Sequence, residues 1–388
     1  MKKLLLFLLG VATSAAYAAR EFTGPARSYY LMDYQSGMTI ATKLPDELMI
    51  PSSMAKLMTV ELAFKALKEG RLSLDTMMIV GGTADYRAPA LARSARVCLE
   101  EGQRISVEDA ITGLLVVSGN DVAVLLAEQL AGSESAFADM MTARARELGM
   151  EFSIFGNASG LNNEDNLSTS AELAILAKHI IATYPEYMRF FRVRRFEHHD
   201  LRSEACQIWA RGRAINTNRL LFIMSGADGM KTGSTSAGGW GVVATANRRG
   251  RRMIAVINGM SARNHEQLAH EARRILEYGY STTFNHTIKV DVKVPIWYGT
   301  APAVTAAPTR PFVVTLDNGT DLGRLRVVVR HPQDIAAPVN IGELVGTVTA
   351  YLDGVNIKSE NIYATERVKQ VRWFRRMARN VRFFLTGK

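Results

Sequence analysis

Three short clusters in this 388-residue chain carry side chains suited to attack on a carbonyl: Ser53-Met54-Ala55-Lys56, Ser118-Gly119-Asn120 and Lys231-Thr232-Gly233. A serine hydroxyl is a poor nucleophile until a base takes its proton. Lys56 stands three residues on, so a helix beginning at Ser53 puts both side chains on one face of its first turn. Such a helix start also presents backbone N–H groups and a positive dipole end to a developing oxyanion. Lysine is a base only when neutral, and burial or a second cation lowers its pKa. Lys231 is suited to be that cation, so the two lysines must differ: one neutral base, one charged anchor. Ser118 suits a proton relay to a leaving amine, and Asn120 a hydrogen bond to a substrate amide. Lys231 and Thr232 offer a cation and a hydroxyl to a terminal carboxylate, and Gly233 lets substrate approach the backbone closely.

Each cluster alone is weak. A serine–lysine pair at this spacing arises by chance about once in a chain this long, and it fits an N-cap serine followed by a surface lysine. Ser118 or Asn120 fits a plain helix cap, and Lys231 a solvated strand edge. Their occurrence together, in this order and behind an export signal, is what points to a site.

The elements that must position them follow from patterning. Ser28–Asp33 and Met38–Lys43 read as two strands around Gln35-Ser36-Gly37. Pro51 precedes a helix from about Ser53 to Leu67, apolar at Leu57, Val60, Ala63 and Leu67. Ser106–Leu130 reads as two helices with the Ser118–Asn120 corner between them. Trp240–Ala246 and Met253–Asn258 are strands around Arg248-Arg249-Gly250, and a helix from about His265 to Tyr278 follows. Strands at both ends with helices between suggest an α/β sandwich on an antiparallel sheet. Composition changes near Thr282. Ile288–Val294, Phe312–Leu316, Leu325–Val329 and Glu343–Tyr351 are β-rich, with breaks at Pro302, Pro308, Pro311 and Asp317-Asn318-Gly319.

The two ends carry different signals. Lys2 and Lys3, the apolar run Leu4–Val11 and Ala16-Tyr17-Ala18 form a secretory signal, with cleavage expected after Ala18. Between Glu366 and Lys388 lie eight basic residues against one acidic, net +7, so most of the chain's net charge of +10 belongs to the tail and not to a nucleic-acid-binding face. On a helical wheel from Val368 to Leu385, Val371, Trp373, Phe374, Met377, Ala378, Val381, Phe384 and Leu385 fall within an arc of roughly 160°. Lys369, Arg372, Arg375, Arg376, Arg379 and Arg382 take the opposite side. This is the pattern of a helix lying in an anionic membrane surface. Cys98 and Cys206 are left open: an oxidising compartment permits pairing, while buried free thiols are the plainer expectation. Two cysteines and scattered histidines make no metal-ligand cluster.

With these residues in place, the chain resembles the low-molecular-mass penicillin-binding proteins that act as D-alanyl-D-alanine carboxypeptidases. The likeness runs through Pro51-Ser52-Ser53-Met54-Ala55-Lys56, Gly113-Leu114-Leu115-Val116-Val117-Ser118-Gly119-Asn120-Asp121 and Asp228-Gly229-Met230-Lys231-Thr232-Gly233, then the β-rich region and the tail. It implies an α/β (α+β) serine transpeptidase/β-lactamase-like sandwich (19–282), a small all-β domain (283–362) and an amphipathic membrane-anchoring helix (363–388) after a signal peptide (1–18). It also implies an exported protein, peripheral on the periplasmic face of the inner membrane. Peptidoglycan stem peptides would be its substrate and β-lactams its covalent inhibitors, with no cofactor and no nucleic acid. Ser53 would be the nucleophile, Lys56 the base and Ser118 the relay. Asn120, Lys231, Thr232, Gly233 and Ser234 would bind substrate, the N–H groups of Ser53 and Ser234 forming the oxyanion hole. Two positions depart from the pattern: Ser234 stands where some relatives carry histidine, and Thr217 where some carry arginine, leaving Arg219 or Arg263 as candidate partners for a carboxylate. Three alternatives stay open: a DD-endopeptidase, a class A β-lactamase and a non-catalytic wall-morphology protein. The lactamase would need Glu164 followed four residues later by asparagine, where Ser168 stands.

Overall fold

A computed structural model describes residues 22–371 except 92–93, 162–164, 198–203, 205, 208–213 and 334. The proposed signal peptide, Glu164, and Trp373, Phe374, Met377, Val381 and Phe384 of the tail lie outside the described residues. The chain divides into two compact units at Thr282/Thr283.

Among the described residues, the first unit is built on an antiparallel sheet of order β2-β1-β7-β6-β5, with β1 Ser28–Asp33, β2 Thr39–Lys43, β5 Ala227–Thr235, β6 Gly239–Arg248 and β7 Arg251–Met260. The centre of this sheet is apolar on both faces, so β7 reads as a continuous run and not as an alternation. Met253, Ala255 and Ile257 pack with Leu268, Ala272, Ile275 and Leu276 of the helix His265–Thr282. Ile254 and Val256 point the other way, into the larger core. That core is closed by α1 Lys56–Lys68, α2 Val107–Val116, α3 Asn120–Ala131, α4 Glu134–Glu147 and α5 Ser170–Thr183. Side-chain caps start three of these helices: Ser106 for α2, Ser133 for α4 and Thr169 for α5.

The helix expected from Ser53 begins differently. Ser52–Ala55 form a 3₁₀ turn and α1 starts at Lys56, with no side-chain cap. A small antiparallel pair, β3 Met77–Ile79 with β4 Arg104–Ser106, carries no readable sequence signal because three-residue strands are too short to show a period.

In the second unit, β8 Thr283–Ile288 pairs with β11 Phe312–Asp317. A separate sheet has the order β12-β13-β14-β10-β9, with β9 Val292–Pro295, β10 Ala303–Ala307, β12 Leu325–Arg330, β13 Leu344–Leu352 and β14 Val355–Ala364. The single strand expected over Ile288–Val294 is therefore two, broken between residues 289 and 291, because its halves serve different sheets. Two strands, β10 and β14, were not expected. For β14 a signal existed: Asp353 (φ 52°) and Gly354 (φ 81°) form the two-residue loop between Leu352 and Val355, a strong hairpin signal.

The amphipathic helix does not begin at Val368, and the β-rich unit does not end at 362. Val368 is buried and bridges to Val339, Thr300 N–H donates to Lys369 O, and Val371 N–H donates to Tyr298 O. Val371, read as a membrane-facing residue, is thus at the end of an extended segment of this unit. Backbone partners on 298–300 and 339 outweigh the helical period of its first turn.

Candidate active site

Construction starts at the turn before α1. Ser52 has φ 51°, a left-handed conformation for a non-glycine residue, and its buried hydroxyl lies 2.9 Å from Thr235 Oγ1 on β5. β5 is the edge strand of its sheet. It comes so close to the turn that a Cβ on Gly233 would lie 2.7 Å from Pro51 O. Glycine there is a packing requirement, besides any need of substrate.

Ser53 Oγ lies 3.0 Å from Lys56 Nζ. Lys56 is fully buried, and its Nζ also donates to Asn120 Oδ1 and Ser159 O, each at 2.6 Å. A neutral amine has two N–H bonds and one lone pair. With both N–H bonds committed to Asn120 and Ser159, the lone pair is left for the Ser53 hydroxyl.

The second cluster lies where α2 stops and α3 starts. Ser118 has φ 62°, and the Gly119 N–H reaches back to Gly113 O. This sharp corner sends the Ser118 hydroxyl to within 3.0 Å of Lys231 Nζ and places Asn120 at the first turn of α3. Lys231 is fully buried on β5, and its Nζ also donates to Thr232 O at 2.9 Å. Thr232 Oγ1 donates to Thr217 Oγ1 at 2.9 Å.

The electrostatics separate the two lysines. Burial, then the nearby Lys231, push Lys56 well below the ordinary lysine range, against smaller pulls from Asp121 and Glu134. Burial lowers Lys231 to about 7. Thus Lys56 is the one held neutral, and Lys231 keeps a substantial charged fraction near neutrality.

Contacts thus join half-buried Ser53, Lys56 and Asn120 in one set and Ser118, Lys231 and Thr232 in another, and the Ser118-Gly119-Asn120 corner brings the two sets together. Ser234 is exposed, directly beyond Gly233 on β5. Of the two arginines considered for a carboxylate, Arg219 pairs with Glu266 at 3.2 Å and Arg263 is exposed. Sequence reasoning missed two neighbours of the site, Ser159 and His265, and marked Thr217 only as a departure from the family pattern. Ser159 acts through a backbone carbonyl, which carries no residue-type signature. Thr217 touches the site only through Thr232. His265 packs edge-on against Trp240 with centroids 4.9 Å apart, and burial, then Lys231 and Arg219, lower its pKa to about 4.

The sequence pattern of the family "D-alanyl-D-alanine carboxypeptidase" matches residues 14–263. The chain belongs to this family. Residues 281–370 match a second pattern, "Penicillin-binding protein 5, C-terminal domain". The chain is 31% identical over 382 residues to D-alanyl-D-alanine carboxypeptidase DacC of Escherichia coli (strain K12), covering 96% of this chain and 92% of that protein. It is 28% identical over 347 residues to DacA of Haemophilus influenzae, covering 87% and 84%. Among solved structures, penicillin binding protein 5 from Haemophilus influenzae superposes with a TM-score of 0.80 at 27% identity, over 90% of this chain and 99% of that one. The penicillin-binding-protein fold is thus shared, an α/β catalytic unit followed by an all-β unit. As a member of the family, the chain is a serine-type D-alanyl-D-alanine carboxypeptidase.

The structure also places Ser168 and the two cysteines. Ser168, where a class A β-lactamase pattern would need asparagine, is buried and hydrogen-bonds Ser153 at 2.8 Å, a structural role in the core. Cys98 and Cys206 are not free thiols. They form a disulfide with Cα atoms 5.9 Å apart, because the fold brings together positions that are 108 residues apart in sequence.

Proposed function

We propose that Ser53 attacks the carbonyl of the penultimate D-alanine of a peptidoglycan stem pentapeptide and forms an acyl-enzyme. Lys56 takes the hydroxyl proton as the Ser53 Oγ–carbon bond forms. The oxyanion sits between the N–H groups of Ser53 and Ser234, donors of a kind whose loss costs about 3–4 kcal/mol of barrier. Collapse of the tetrahedral adduct breaks the C–N bond. The proton held on Lys56 reaches the departing D-alanine amine through Ser118. Water then attacks the ester with Lys56 again as base, and Ser53 Oγ leaves as a hydroxyl. Asn120 holds the substrate's amide, Lys231 and Thr232 hold the terminal carboxylate, and the free edge of β5 aligns the peptide backbone. A β-lactam opens on Ser53 by the same first step and leaves slowly. The observation that carries this mechanism is the 3.0 Å approach of a fully buried lysine amine to Ser53 Oγ, with the two hydrogens of the neutral amine committed to neutral acceptors.

The test is D-alanine release from a defined pentapeptide, with intact-mass detection of the penicilloyl adduct. Wild type should release D-alanine and gain one adduct, and Ser53→Ala should do neither. Cleavage of cross-linked dimers in preference to the pentapeptide would mark an endopeptidase instead. An unlabelled wild type would make this a wall-binding protein without catalysis.

We further propose that the protein is exported, cleaved after Ala18, and held on the periplasmic face of the inner membrane by the basic, apolar tail from residue 372 onward. Among the described residues no helix is long and apolar enough to cross a membrane; what supports the tail as the foot is its own run of arginines interleaved with Trp373, Phe374, Met377, Val381 and Phe384. Each Arg near an anionic leaflet contributes about 1 kcal/mol. Deleting 372–388, and not the buried strand segment before it, should move the protein from the membrane to the soluble fraction. Unchanged fractionation would end this idea.

A further inference from the structure

The geometry points to a positioning brace for the catalytic corner, made by residues 95–99 and locked by the Cys98–Cys206 disulfide. This brace rests on the proposed roles of Ser118 and Asn120 and adds residues to them.

The corner Ser118-Gly119-Asn120 touches both catalytic lysines, so its placement sets two contacts at once. Segment 95–99 grips it from three sides. Ala95 O accepts from the Asn120 N–H at 2.9 Å. The Asp121 carboxylate accepts from the N–H groups of Val97, Cys98 and Leu99 at 2.7 to 3.0 Å. Val97 lies against the two glycines that bound the bend: a Cβ on Gly113 would meet its Cγ2 at 2.5 Å, and one on Gly119 at 2.9 Å. The Asp121 carboxylate is fully buried; burial raises its pKa, and the N–H groups of Val97, Leu99, Val122 and Cys98 pull the other way, three of them from this one short segment.

That segment is not held by regular structure. Cys98 has φ 78°, left-handed for a non-glycine residue, and it lies outside any helix or strand. A backbone in that region persists only where its surroundings over-determine it. The two constraints at Cys98 are the Asp121 hydrogen bond and the covalent bond to Cys206, both buried. The disulfide thus ties 95–99 to a distant part of the chain, and 95–99 fixes the corner. The consequence lies in the chemical step, because sub-ångström misplacement of reacting groups slows a reaction by one to two orders of magnitude (roughly) without unfolding anything.

The experiment uses the full-length mature chain and stopped-flow acylation by a fluorescent penicillin. Maximal acylation rate is separated from apparent affinity, and both are normalised to sites labelled at the end point. Cys98→Ala/Cys206→Ala should acylate about tenfold more slowly per labelled site, with end-point labelling retained. Val97→Ala keeps the disulfide but shortens the contact on Gly113 and Gly119, and should slow the same step by a smaller factor, about threefold. It also decides the matter if the double variant does not fold. A per-site rate equal to wild type in either variant overturns the brace, even where total labelling falls, since that pattern marks a disulfide that only stabilises the fold. If wild type takes no label at all, the acyl-enzyme proposal fails first.

Discussion

Helix α1 carries two buried ionisable side chains, and their surroundings make them opposites. Lys56, at its first turn, faces the Ser53 hydroxyl, an amide oxygen, a backbone carbonyl and, nearby, another lysine. Glu61, five residues on, gathers Arg144 at 2.8 Å, His179 at 3.1 Å and the Tyr184 hydroxyl at 3.1 Å. Both are fully buried. Burial alone would discharge each of them. For Lys56 the neighbouring cation adds to burial, and the pKa falls. For Glu61 burial raises the pKa, but His179 and Arg144 outweigh it and the carboxylate stays ionised. The same helix therefore holds an ionised carboxylate that ties α4 and α5 to the core and an amine held neutral, as the proposed base requires. What surrounds a buried group, more than burial itself, separates structure from catalysis.

The largest expected effect breaks the catalytic side. Lys56→Arg replaces a neutralisable amine with a permanent cation, so acylation by a fluorescent penicillin should fall about 10²–10⁴-fold per folded molecule, and the melting transition should also fall because the buried site beside Lys231 disfavours a charge. Wild-type acylation by that variant would remove Lys56 as the base.

The counterpart sharpens the other half. Glu61→Gln leaves Arg144 and His179 around a neutral amide, so stability should drop by about 3 kcal/mol in urea unfolding, while the acylation rate per labelled site stays within about twofold. A stability loss with an equal catalytic loss would mean the two ends of α1 are not independent.

The pH profile tests the sign of each shift. Acylation needs neutral Lys56, whose pKa is lowered, so the rising limb should lie well below the ordinary lysine range of about 10.4. Capture of a substrate carboxylate needs protonated Lys231, so kcat/KM for a pentapeptide should fall as pH rises through about 7. A profile still rising to pH 10 would contradict both assignments. In the unfolded chain both lysines bind protons up to their ordinary range. The unfolded state thus holds more protons above the folded pKa values, and these two groups make stability rise with pH there.

The smallest effect concerns the family departure. Thr217→Val removes the acceptor of the Thr232 hydroxyl. A lost hydrogen bond of about 1 kcal/mol should appear as a roughly fivefold rise in KM for pentapeptide with kcat nearly unchanged. An equal fall in kcat would place Thr217 in the chemical step.

The legible parts of the chain were those where one local pattern decides. Strand β1 and the β6–β7 hairpin around Arg249-Gly250 lie close to where the residue pattern puts them, because periodicity and turn chemistry are local. The tail misled for the same reason: the helical period of 368–371 is real, but Val339, Tyr298 and Thr300 offer backbone pairing that no local pattern records. Asp353-Gly354, by contrast, is a turn signal as local as any of these.

Residue type and order alone determined that this chain has the parts of a serine–lysine acyl-transfer site, because side-chain chemistry belongs to each residue wherever it sits. Folding decided the rest. It brought Lys231 beside Ser118 across 113 positions, turned the Ser159 carbonyl toward Lys56, and closed Cys98 on Cys206. A pKa, a backbone acceptor and a disulfide partner depend on distance in space, and a linear order of residues does not contain those distances.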